Sequence, residues 1–319
     1  MAPEDNLVHI VDLEIAGWES ALIEACETLG FVRLVNHGVD ARAAARLRAS
    51  MVDLFALDDN TKHDLAIERG NYRGFIPLGF FTPNRAEVNG RDGDFYEGYK
   101  VHWECPADHP VRHECALYGP NRWPDDVPLL PDAVSGYVAA CDQLTQRLLP
   151  VFARYLELEA DVFASWFSEP LSNMTLLHYP AFEHERRGIH AHKDTNVITF
   201  LWSNVAGGLE LCDRSGTWID VDHVDGAIVM NIGEMLELWS GGRLIATPHR
   251  AANNGSNARY SFPYFVVPRH DVVVEPVMTR VAGFARRSMP VGELSAEVWR
   301  TNWPDETPSS DDYDLGSLR

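Results

Sequence analysis

The chain has 319 residues, 45% of them hydrophobic, and a formal net charge of −20 at pH 7. This charge disfavours nucleic acid and anionic membrane surfaces as partners. The sequence has no run of eighteen apolar residues, no apolar signal core at its acidic N-terminus, and five cysteines whose irregular spacing does not indicate a disulfide framework. We therefore expect a cytoplasmic protein, and the lack of repeats or linkers predicts a single domain over residues 1–319.

The N-terminal part predicts short strands that alternate with helices. Apolar residues at strand or helix spacing indicate a strand, a helix that stops at Gly30 and a second strand, at residues 7–12, 18–29 and 31–35. Asp40 is the predicted N-cap of a further helix that continues to about residue 57. His37 lies in the turn before this helix and is interpreted as a structural turn residue rather than a ligand.

A first group of metal-binding side-chain types lies in the segment that follows the N-terminal part. It consists of His102, Cys105, His109, His113 and Cys115. By content alone these residues could form a zinc site. Their spacing matches no established zinc pattern, and prolines interrupt the segment. Solvated histidines and free cysteines are therefore the favoured interpretation.

The middle of the chain predicts one long helix, because apolar residues recur at helical spacing over residues 132–158. Residues 161–167 predict a shorter helix. Residues 172–180 predict a strand that ends in His178, Tyr179 and Pro180. His178 and Tyr179 should point to opposite faces of this strand, and His178 is interpreted as a packing residue.

The segment that begins at His190 contains a candidate metal site. His192 and Asp194 are two residues apart, and side chains at i and i+2 of an extended chain point the same way. Lys193 must then point away from anything that they bind. His249 can supply a third ligand from a distant strand. Two histidines and one carboxylate leave open coordination positions for small molecules, an arrangement typical of non-haem Fe(II) oxygenases.

Apolar segments of strand length lie between these residues, and most are separated by turn-forming residues. They are residues 197–202, 208–211, 218–221 and 226–230. Residues 234–239 and 243–246, on either side of a Gly-Gly turn, predict another pair of strands that leads to His249.

Arg259 and Ser261 follow at alternate positions of the next predicted strand and should share one face. A guanidinium group suits the paired hydrogen bonding of a carboxylate. The alternative, a surface Arg in a salt bridge, is disfavoured because Arg259 leads into an apolar strand, where an unpaired charge is costly.

Residues 190–261 closely resemble the C-terminal half of Fe(II)/2-oxoglutarate-dependent dioxygenases of the isopenicillin N synthase-like family. That family's signature is His-x-Asp, a second His roughly fifty to sixty residues later, and Arg-x-Ser about ten residues beyond. The resemblance implies a mainly β fold with flanking helices and a double-stranded β-helix core of jelly-roll, cupin-like type. We expect this core at residues 172–268, between an N-terminal buttress module at 1–171 and a C-terminal extension at 269–319.

The resemblance also implies ligands for each cofactor. Fe(II) would be bound by His192, Asp194 and His249, and the far carboxylate of 2-oxoglutarate by Arg259 and Ser261. Tyr179, in a sequence similar to the family's Tyr-Tyr-Pro, would contact 2-oxoglutarate. With O2 as the oxidant, the implied reaction is hydroxylation, desaturation or cyclisation of a small soluble metabolite, with release of succinate and CO2. An amino acid, a peptide or a natural-product intermediate would fit.

Further residues are candidates for the substrate pocket. Tyr72, Arg73 and Phe75 lie in a segment similar to the family's Arg-Gly-Tyr/Phe sequence, and Tyr96 lies in one similar to its Glu-Gly sequence. Packing is an equal explanation for the three aromatic residues among these four. Two more candidates lie beside the predicted ligands, and they are His190 and Phe265.

Two alternatives remain open from the sequence. One is an Fe(II)-dependent oxidase of the same fold that does not use 2-oxoglutarate, and the other is a metal-free cupin-like binding protein. An Asp at position 194 argues against halogenation, since halogenating relatives carry a small residue there. Residues 301–319 contain five acidic residues and one Arg, with Pro, Ser and Gly, and predict a mobile tail.

Overall fold

The computed structural model describes residues 8–81, 94–159, 161–181, 186–204, 207–253, 257–303 and 305–306. These residues form eight helices: α1 (Trp18–Thr28), α2 (Ala41–Phe55), α3 (Asp59–Asp64), α4 (Val111–Glu114), α5 (Leu130–Tyr155), α6 (Val162–Trp166), α7 (Glu234–Trp239) and α8 (Val291–Thr301). They also form fourteen strands: β1 (His9–Asp12), β2 (Phe31–Val35), β3 (Gly74–Ile76), β4 (Glu97–His102), β5 (Asn173–Tyr179), β6 (Arg186–His192), β7 (Ile198–Ser203), β8 (Leu209–Cys212), β9 (Trp218–Asp220), β10 (Ile228–Ile232), β11 (His249–Asn253), β12 (Arg259–Val266), β13 (Val273–Val274) and β14 (Met289–Pro290).

Two sheets build the core. The larger has the strand order β1-β2-β10-β7-β12-β5-β4-β3, and the smaller has the order β6-β11-β8-β9. Only β1 and β2 pair in parallel among these strands, and every other neighbouring pair is antiparallel. The eight strands β5 to β12 are divided between two facing sheets, which is the double-stranded β-helix predicted from the sequence. Strands β1 to β4 extend the larger sheet at both of its edges.

The larger sheet has one face toward helices and one toward the smaller sheet, so its strands alternate in character. On β12 the outward residues pack in the main hydrophobic core, where the ring of Phe262 lies edge-on to Tyr137 of α5 with 4.7 Å between centroids. The inward residues of β12 include Arg259 and Ser261, both buried. Helix α5 therefore stabilises the sheet from outside, while polar groups collect in the space between the sheets.

Several predicted elements are confirmed with shifts of a few residues at their ends. The side chain of Asp40 accepts a hydrogen bond of 2.8 Å from the backbone N–H of Arg42, which makes it the N-cap of α2. The predicted long helix is α5. His37 is a turn residue, since its ring accepts a bond from the N–H of Val39 and donates to the carbonyl of Gly226. None of the described helices is both long and apolar enough to cross a membrane.

The predicted strand at residues 234–239 is wrong, because this segment is the helix α7. All six of its residues are buried, so the segment shows no amphipathic period that would distinguish a helix from a strand. Tertiary contacts decide the outcome. The first backbone N–H groups of α7, from Glu234 and Met235, donate to the carbonyl groups of Asp194 and Asn196 at 2.8 and 2.9 Å.

The first residues of the predicted mobile tail make specific contacts in the structure. Arg69 forms ion pairs of 2.6 Å with both Asp305 and Glu306, and the side chain of Asn302 donates a hydrogen bond of 2.8 Å to the hydroxyl group of Tyr72. These contacts hold the end of α8 against the larger sheet. Residues 307–319 lie outside the described residues.

Candidate functional site

Three side chains converge between the two sheets. Nε2 of His192 lies 3.5 Å from Oδ1 of Asp194, and Nε2 of His249 lies 3.7 Å from the same oxygen. One ligand atom from each of the three residues lies within 4.8 Å of the others. In the described part of the chain no other group of His, Cys, Asp and Glu meets this condition, and residues 102–115 do not form one. The sequence-predicted triad is therefore brought together by the fold.

Strand pairing explains why the two imidazoles meet. His249 begins β11 and His192 ends β6, and the two residues are directly opposite each other in the antiparallel ladder. Opposed residues of an antiparallel pair point to the same face, and here their ring centroids are 4.4 Å apart. Lys193 points the other way, as predicted from strand alternation, toward Glu237 of α7 at 3.8 Å.

Each ligand is oriented by a hydrogen bond on its other side. Nδ1 of His192 donates to the carbonyl of His190 at 2.8 Å, and Nδ1 of His249 donates to the carbonyl of Thr247 at 3.1 Å. Each imidazole therefore presents Nε2 as a lone pair toward the common centre. Oδ2 of Asp194 accepts bonds from Thr199 at 2.6 Å and Asn231 at 2.8 Å, which leaves Oδ1 for the centre.

Burial and mutual attraction shift the pKa values of all three members of the triad. Burial raises the pKa of the Asp194 carboxyl, but His249, His192 and Asn231 outweigh burial and hold it well below its usual range. Burial lowers the pKa of His249 to about 4, against the attraction of Asp194. Burial also lowers the pKa of His192, but the hydrogen bond to Asp194 outweighs this and the net pKa is raised. The geometry thus combines one anionic and two imidazole donors, as metal binding requires.

A second polar group lies at the far end of β12. Arg259 and Ser261 are 3% and 1% exposed, and Nε and Nη1 of Arg259 and Oγ of Ser261 have no hydrogen-bond partner among the described residues. The guanidinium carbon of Arg259 lies 4.7 Å from the ring centre of Tyr179, which is its register partner on β5. Buried donors without partners are costly in a folded protein. This cluster is accordingly suited to an anionic ligand with several acceptor atoms.

Space for such a ligand adjoins Arg259. A pocket that is partly open to solvent is lined by Arg259 and by apolar residues of both sheets, among them Leu201, Leu209 and Val229. At its other end lies Arg33, whose guanidinium donates to the carbonyl groups of Val8 and Asp222. A second cation therefore borders the pocket, but two of its donors already have partners.

An aromatic cluster lies on the same inner face, next to Tyr179. Tyr96 lies 6.0 Å from Tyr179 between ring centroids, and Phe81 lies 6.2 Å from Tyr96 and 6.5 Å from Tyr72. The cluster is closed by two tryptophans at the C-terminal end of the chain, and both lie within 6 Å of Tyr72 between ring centroids: Trp299 and Trp303. The predicted candidates Tyr72 and Tyr96 are thus neighbours of the Arg259 cluster.

His190 and Phe265 also lie near the triad. Nδ1 of His190 bonds to Oδ1 of Asp94, and the backbone N–H of His190 donates to the same oxygen at 2.9 Å. Nδ1 of the His190 ring is therefore already hydrogen-bonded to a carboxylate. Phe265 lies on the inner face of β12 opposite Thr199, the residue that bonds to Asp194.

Phe75 and Arg73, two further pocket candidates, have other partners in the structure, although Arg73 also lies 5.8 Å from the ring centre of Trp299. Phe75 pairs with Tyr99 and belongs to the core on the helical face of the sheet, so it cannot line the space between the sheets. Arg73 is buried and donates to the carbonyl of Leu117 at 2.8 Å and to the side chain of Asn71 at 3.2 Å. Its guanidinium stabilises loops instead of facing the triad.

Sequence reasoning missed the residues that support the triad and one further cation of the inner face. The supporting residues are Thr199 and Asn231, and the cation is Lys100. Trp299 and Trp303 of the aromatic cluster were not predicted either. Thr199 and Asn231 had a recognisable signal, since each is polar at an inward position of an otherwise apolar strand. Lys100 also had a recognisable sequence signal, because it alternates with buried aromatic and apolar residues of β4.

Comparison with known families agrees with this geometry. Residues 171–268 match the profile of the 2OG-Fe(II) oxygenase superfamily, and residues 16–126 match that of the non-haem dioxygenase in morphine synthesis N-terminal region. The first match contains every residue of the triad together with Arg259, Ser261 and Tyr179. The second contains β2, β3 and β4, three of the four strands that extend the larger sheet at its edges.

Individual proteins are similar over most of the chain. The 2-oxoglutarate-Fe(II) type oxidoreductase hxnY of Emericella nidulans is 31% identical over 253 residues, which cover 76% of this chain and 71% of that protein. A putative 2OG-Fe(II) oxygenase family protein from Caulobacter crescentus has a TM-score of 0.77 at 28% identity, covering 90% of this chain and 96% of the other. A full-length Neurospora crassa protein, crystallised in complex with alpha-KG and thymine, shares the fold with a TM-score of 0.78 at 21% identity, over 93% and 97% of the two chains.

Proposed function

Because this chain belongs to the 2OG-Fe(II) oxygenase superfamily and is a non-haem Fe(II)/2-oxoglutarate-dependent dioxygenase, we propose specific roles for the two polar clusters between its sheets. His192, Asp194 and His249 bind Fe(II). Arg259 and Ser261, with Tyr179, bind 2-oxoglutarate. O2 is the third cosubstrate, and the enzyme hydroxylates, desaturates or cyclises a small metabolite.

The convergence of the triad is the observation that carries the iron assignment. Both Nε2 atoms and Oδ1 of Asp194 are directed to one point, and the opposite side of each ligand is held by a protein group. Two imidazoles and one carboxylate on one side of a metal leave positions for cosubstrates on the other. A metal-free binding role would leave this complete and oriented ligand set without a purpose.

The unpaired donors of Arg259 and Ser261 support the 2-oxoglutarate assignment. The distal carboxylate of 2-oxoglutarate supplies acceptors for Nε and Nη1 of Arg259 and for Oγ of Ser261, all of which lack partners in the described residues. A charge-assisted, paired contact of this kind is stronger than a neutral hydrogen bond. Burial, opposed by the neighbouring guanidinium, raises the pKa of Tyr179, so this residue remains a neutral phenol under the arginine.

The residues of the chain prepare the site, and the cofactors supply the oxidising chemistry. When bound, Fe(II) and 2-oxoglutarate activate O2 and release succinate and CO2. Thr199 and Asn231 fix the Asp194 carboxylate so that one oxygen remains available to the metal. Leu201, Leu209 and Val229 form an apolar wall beside Arg259.

We propose a small-molecule substrate, and the Neurospora crassa neighbour was crystallised in complex with a small molecule, thymine, together with alpha-KG. We propose that the substrate lies between the triad and the aromatic cluster, where Tyr72, Tyr96 and Phe265 provide apolar contacts. His190, held by Asp94, borders the same space. Helix α8 covers the cluster through Trp299.

Iron and 2-oxoglutarate binding can be tested together without turnover. The wild-type protein, titrated with Fe(II) and 2-oxoglutarate in the absence of O2, should develop the visible charge-transfer band of the metal-bound keto acid. His192→Ala and His249→Ala should lose this band and all succinate formation while keeping a folded circular-dichroism spectrum. His109→Ala, in the segment considered for zinc, is the control and should leave both unchanged. A normal band in either ligand variant would contradict the assignment.

The 2-oxoglutarate clamp has its own test. Arg259→Leu should raise the KM for 2-oxoglutarate roughly ten- to a hundredfold, as expected when a charge-assisted contact is lost. Arg250→Leu is the matched control, because Arg250 is already paired with Glu210 at 2.6 Å on the neighbouring strand. An unchanged KM in Arg259→Leu would assign the clamp to another residue. Absence of succinate in the wild-type reaction would instead favour an oxidase that does not consume 2-oxoglutarate.

A further inference from the structure

Lys100 differs from the other lysines of this chain. The sequence contains only three lysines among 47 acidic residues. Lys62 forms ion pairs with Asp59 and Glu97, and Lys193 forms one with Glu237. Lys100 forms no ion pair with any described residue, although an acidic chain offers many partners. Its position therefore requires a separate explanation.

Lys100 lies on the inner face of β4, between the two sheets. Its ammonium group donates a hydrogen bond of 3.0 Å to Oγ1 of Thr175, which is its register partner on β5. The ammonium nitrogen lies 4.9 Å from the ring centre of Phe265 and 5.8 Å from that of Tyr72. One neutral hydroxyl and two aromatic rings thus surround a partly buried cation, and they leave further N–H donors of Lys100 available.

The ammonium group is close to the metal triad through the same neighbours. Phe265 pairs with Thr199 across β12 and β7, and Thr199 donates to Asp194. The Asp194 carboxylate attracts Lys100 electrostatically, which is consistent with their placement in one space. A ligand group bound at Lys100 would therefore hold the rest of a small molecule beside the triad.

The surroundings of Lys100 do not favour its charge. Burial lowers the pKa of the Lys100 ammonium group to about 7, and the attraction of Asp194 only partly opposes this. An anionic ligand at the same place would restore the charged form, because an opposite charge within about 4–6 Å stabilises it. An uncharged ligand would offer no such gain.

We propose that Lys100 binds a carboxylate of the primary substrate, whose carbon skeleton packs against Tyr72 and Phe265. This inference rests on the proposed function and names the substrate class: a small carboxylic acid with a flat, apolar body. The site then contains two cations with separate tasks. Arg259 binds the cosubstrate at one end of β12, and Lys100 orients the substrate beside Phe265 at the other.

The proposal is tested by the preference for an acid over its amide. Phenylacetate, 3-phenylpropanoate, cinnamate and indole-3-acetate, each with its primary amide, are titrated into the protein loaded with Fe(II) and 2-oxoglutarate without O2. Binding is followed by tryptophan fluorescence, since Trp299 adjoins Tyr72. In the wild type at least one acid should bind roughly ten- to a hundredfold more tightly than its amide.

Three variants complete the test. Lys100→Met should reduce the acid-to-amide ratio to about one, and Lys100→Arg should keep most of it. Lys62→Met removes a lysine that is already paired and should leave the ratio unchanged. The charge-transfer band and the 2-oxoglutarate affinity should stay at the wild-type level in Lys100→Met, which separates this inference from the proposed function.

Each other outcome would overturn the inference. If no acid binds more tightly than its amide in the wild type, Lys100 does not recognise a carboxylate of this class. A ratio that survives in Lys100→Met would assign recognition to another residue. A loss of 2-oxoglutarate affinity in Lys100→Met would place Lys100 in the cosubstrate site. If the charge-transfer band does not form in the wild type, the proposed function itself is contradicted.

Discussion

The hydroxyl group of Thr199 donates a hydrogen bond of 2.6 Å to Oδ2 of Asp194, and this bond joins the two sheets at the metal triad. Thr199 belongs to the larger sheet, whereas Asp194 follows the last strand residue of β6 in the smaller one. The same hydroxyl accepts a bond of 2.8 Å from Asn196. The orientation of the carboxylate is therefore set by a chain of buried polar groups.

Thr199→Val should weaken Fe(II) binding by about 10- to 100-fold, the loss typical of partners that orient metal ligands. Valine keeps the shape of threonine but cannot donate to Asp194, so the carboxylate gains freedom to rotate. Fe(II) affinity, measured by anaerobic titration of the charge-transfer band, reports the effect. Thr199→Ser keeps the hydroxyl and should retain affinity. Equal affinities in the valine and serine variants would show that this bond does not orient the ligand.

Asp194→Gly should separate metal binding from turnover. The substitution removes the only anionic member of the triad but leaves His192 and His249 opposite each other on β6 and β11. We expect weak but detectable binding of iron with 2-oxoglutarate, seen as the visible band, together with loss of product formation. The carboxylate offsets metal charge and fixes geometry, which water does not. Full turnover in this variant would contradict the assignment of Asp194.

Lys193→Ala should affect stability rather than iron. Lys193 is only 8% exposed in its side chain and lies 3.8 Å from Glu237, which is itself buried beside Glu234. Removing the lysine leaves buried carboxylates with less compensation, at a cost of about 1–3 kcal/mol. Thermal denaturation should show a lower Tm, while Fe(II) affinity of the folded protein stays unchanged. An unchanged Tm with reduced iron affinity would contradict the direction assigned to this side chain.

Gly188→Ala should disturb the 2-oxoglutarate site. A Cβ at this position would lie 2.4 Å from Cε1 of Tyr179, whose ring is 1% exposed and has no room to retreat. Overpacking of this kind costs about 1–3 kcal/mol and would displace Tyr179 from Arg259. We expect a lower Tm and a higher KM for 2-oxoglutarate. Gly136→Ala, in α5 with no atom within 4 Å of its Cβ, should stabilise the protein by about 0.5–1 kcal/mol and leave KM unchanged.

Lys100 should give the metal-free protein a distinct pH dependence. Its pKa is lowered from 10.5 to about 7 on folding, so the unfolded chain binds more protons between these values. The free energy of unfolding therefore rises as pH increases from 7 toward 10, falls again over the same range as pH decreases, and is not changed further by this group below pH 7. Lys100→Met lacks this contribution, and its Tm relative to wild type should decrease over the same range. A difference that is constant with pH would show that Lys100 is not strongly desolvated.

The spacing of residues along the chain was sufficient to predict which of them share a face of one element. Alternation along an extended chain put His192 and Asp194 together, directed Lys193 away, and paired Arg259 with Ser261. These relationships depend only on the period of a strand, which is fixed by backbone geometry. Helix α2 was predicted from its N-cap Asp40 and its helical spacing, whereas the double-stranded β-helix was implied by the family resemblance.

What each of these faces contacts depends on the tertiary structure. Phe75 and Tyr72 are close in sequence, yet Phe75 packs under the helices and Tyr72 faces Lys100, because the pairing of β3 with β4 sets their sides. Residues 234–239 become helix α7 because backbone carbonyls from a distant loop accept its first N–H groups. The surroundings of Lys100 likewise depend on which strands flank β4. Such contacts arise from non-local register, which the spacing of residues along the chain does not encode.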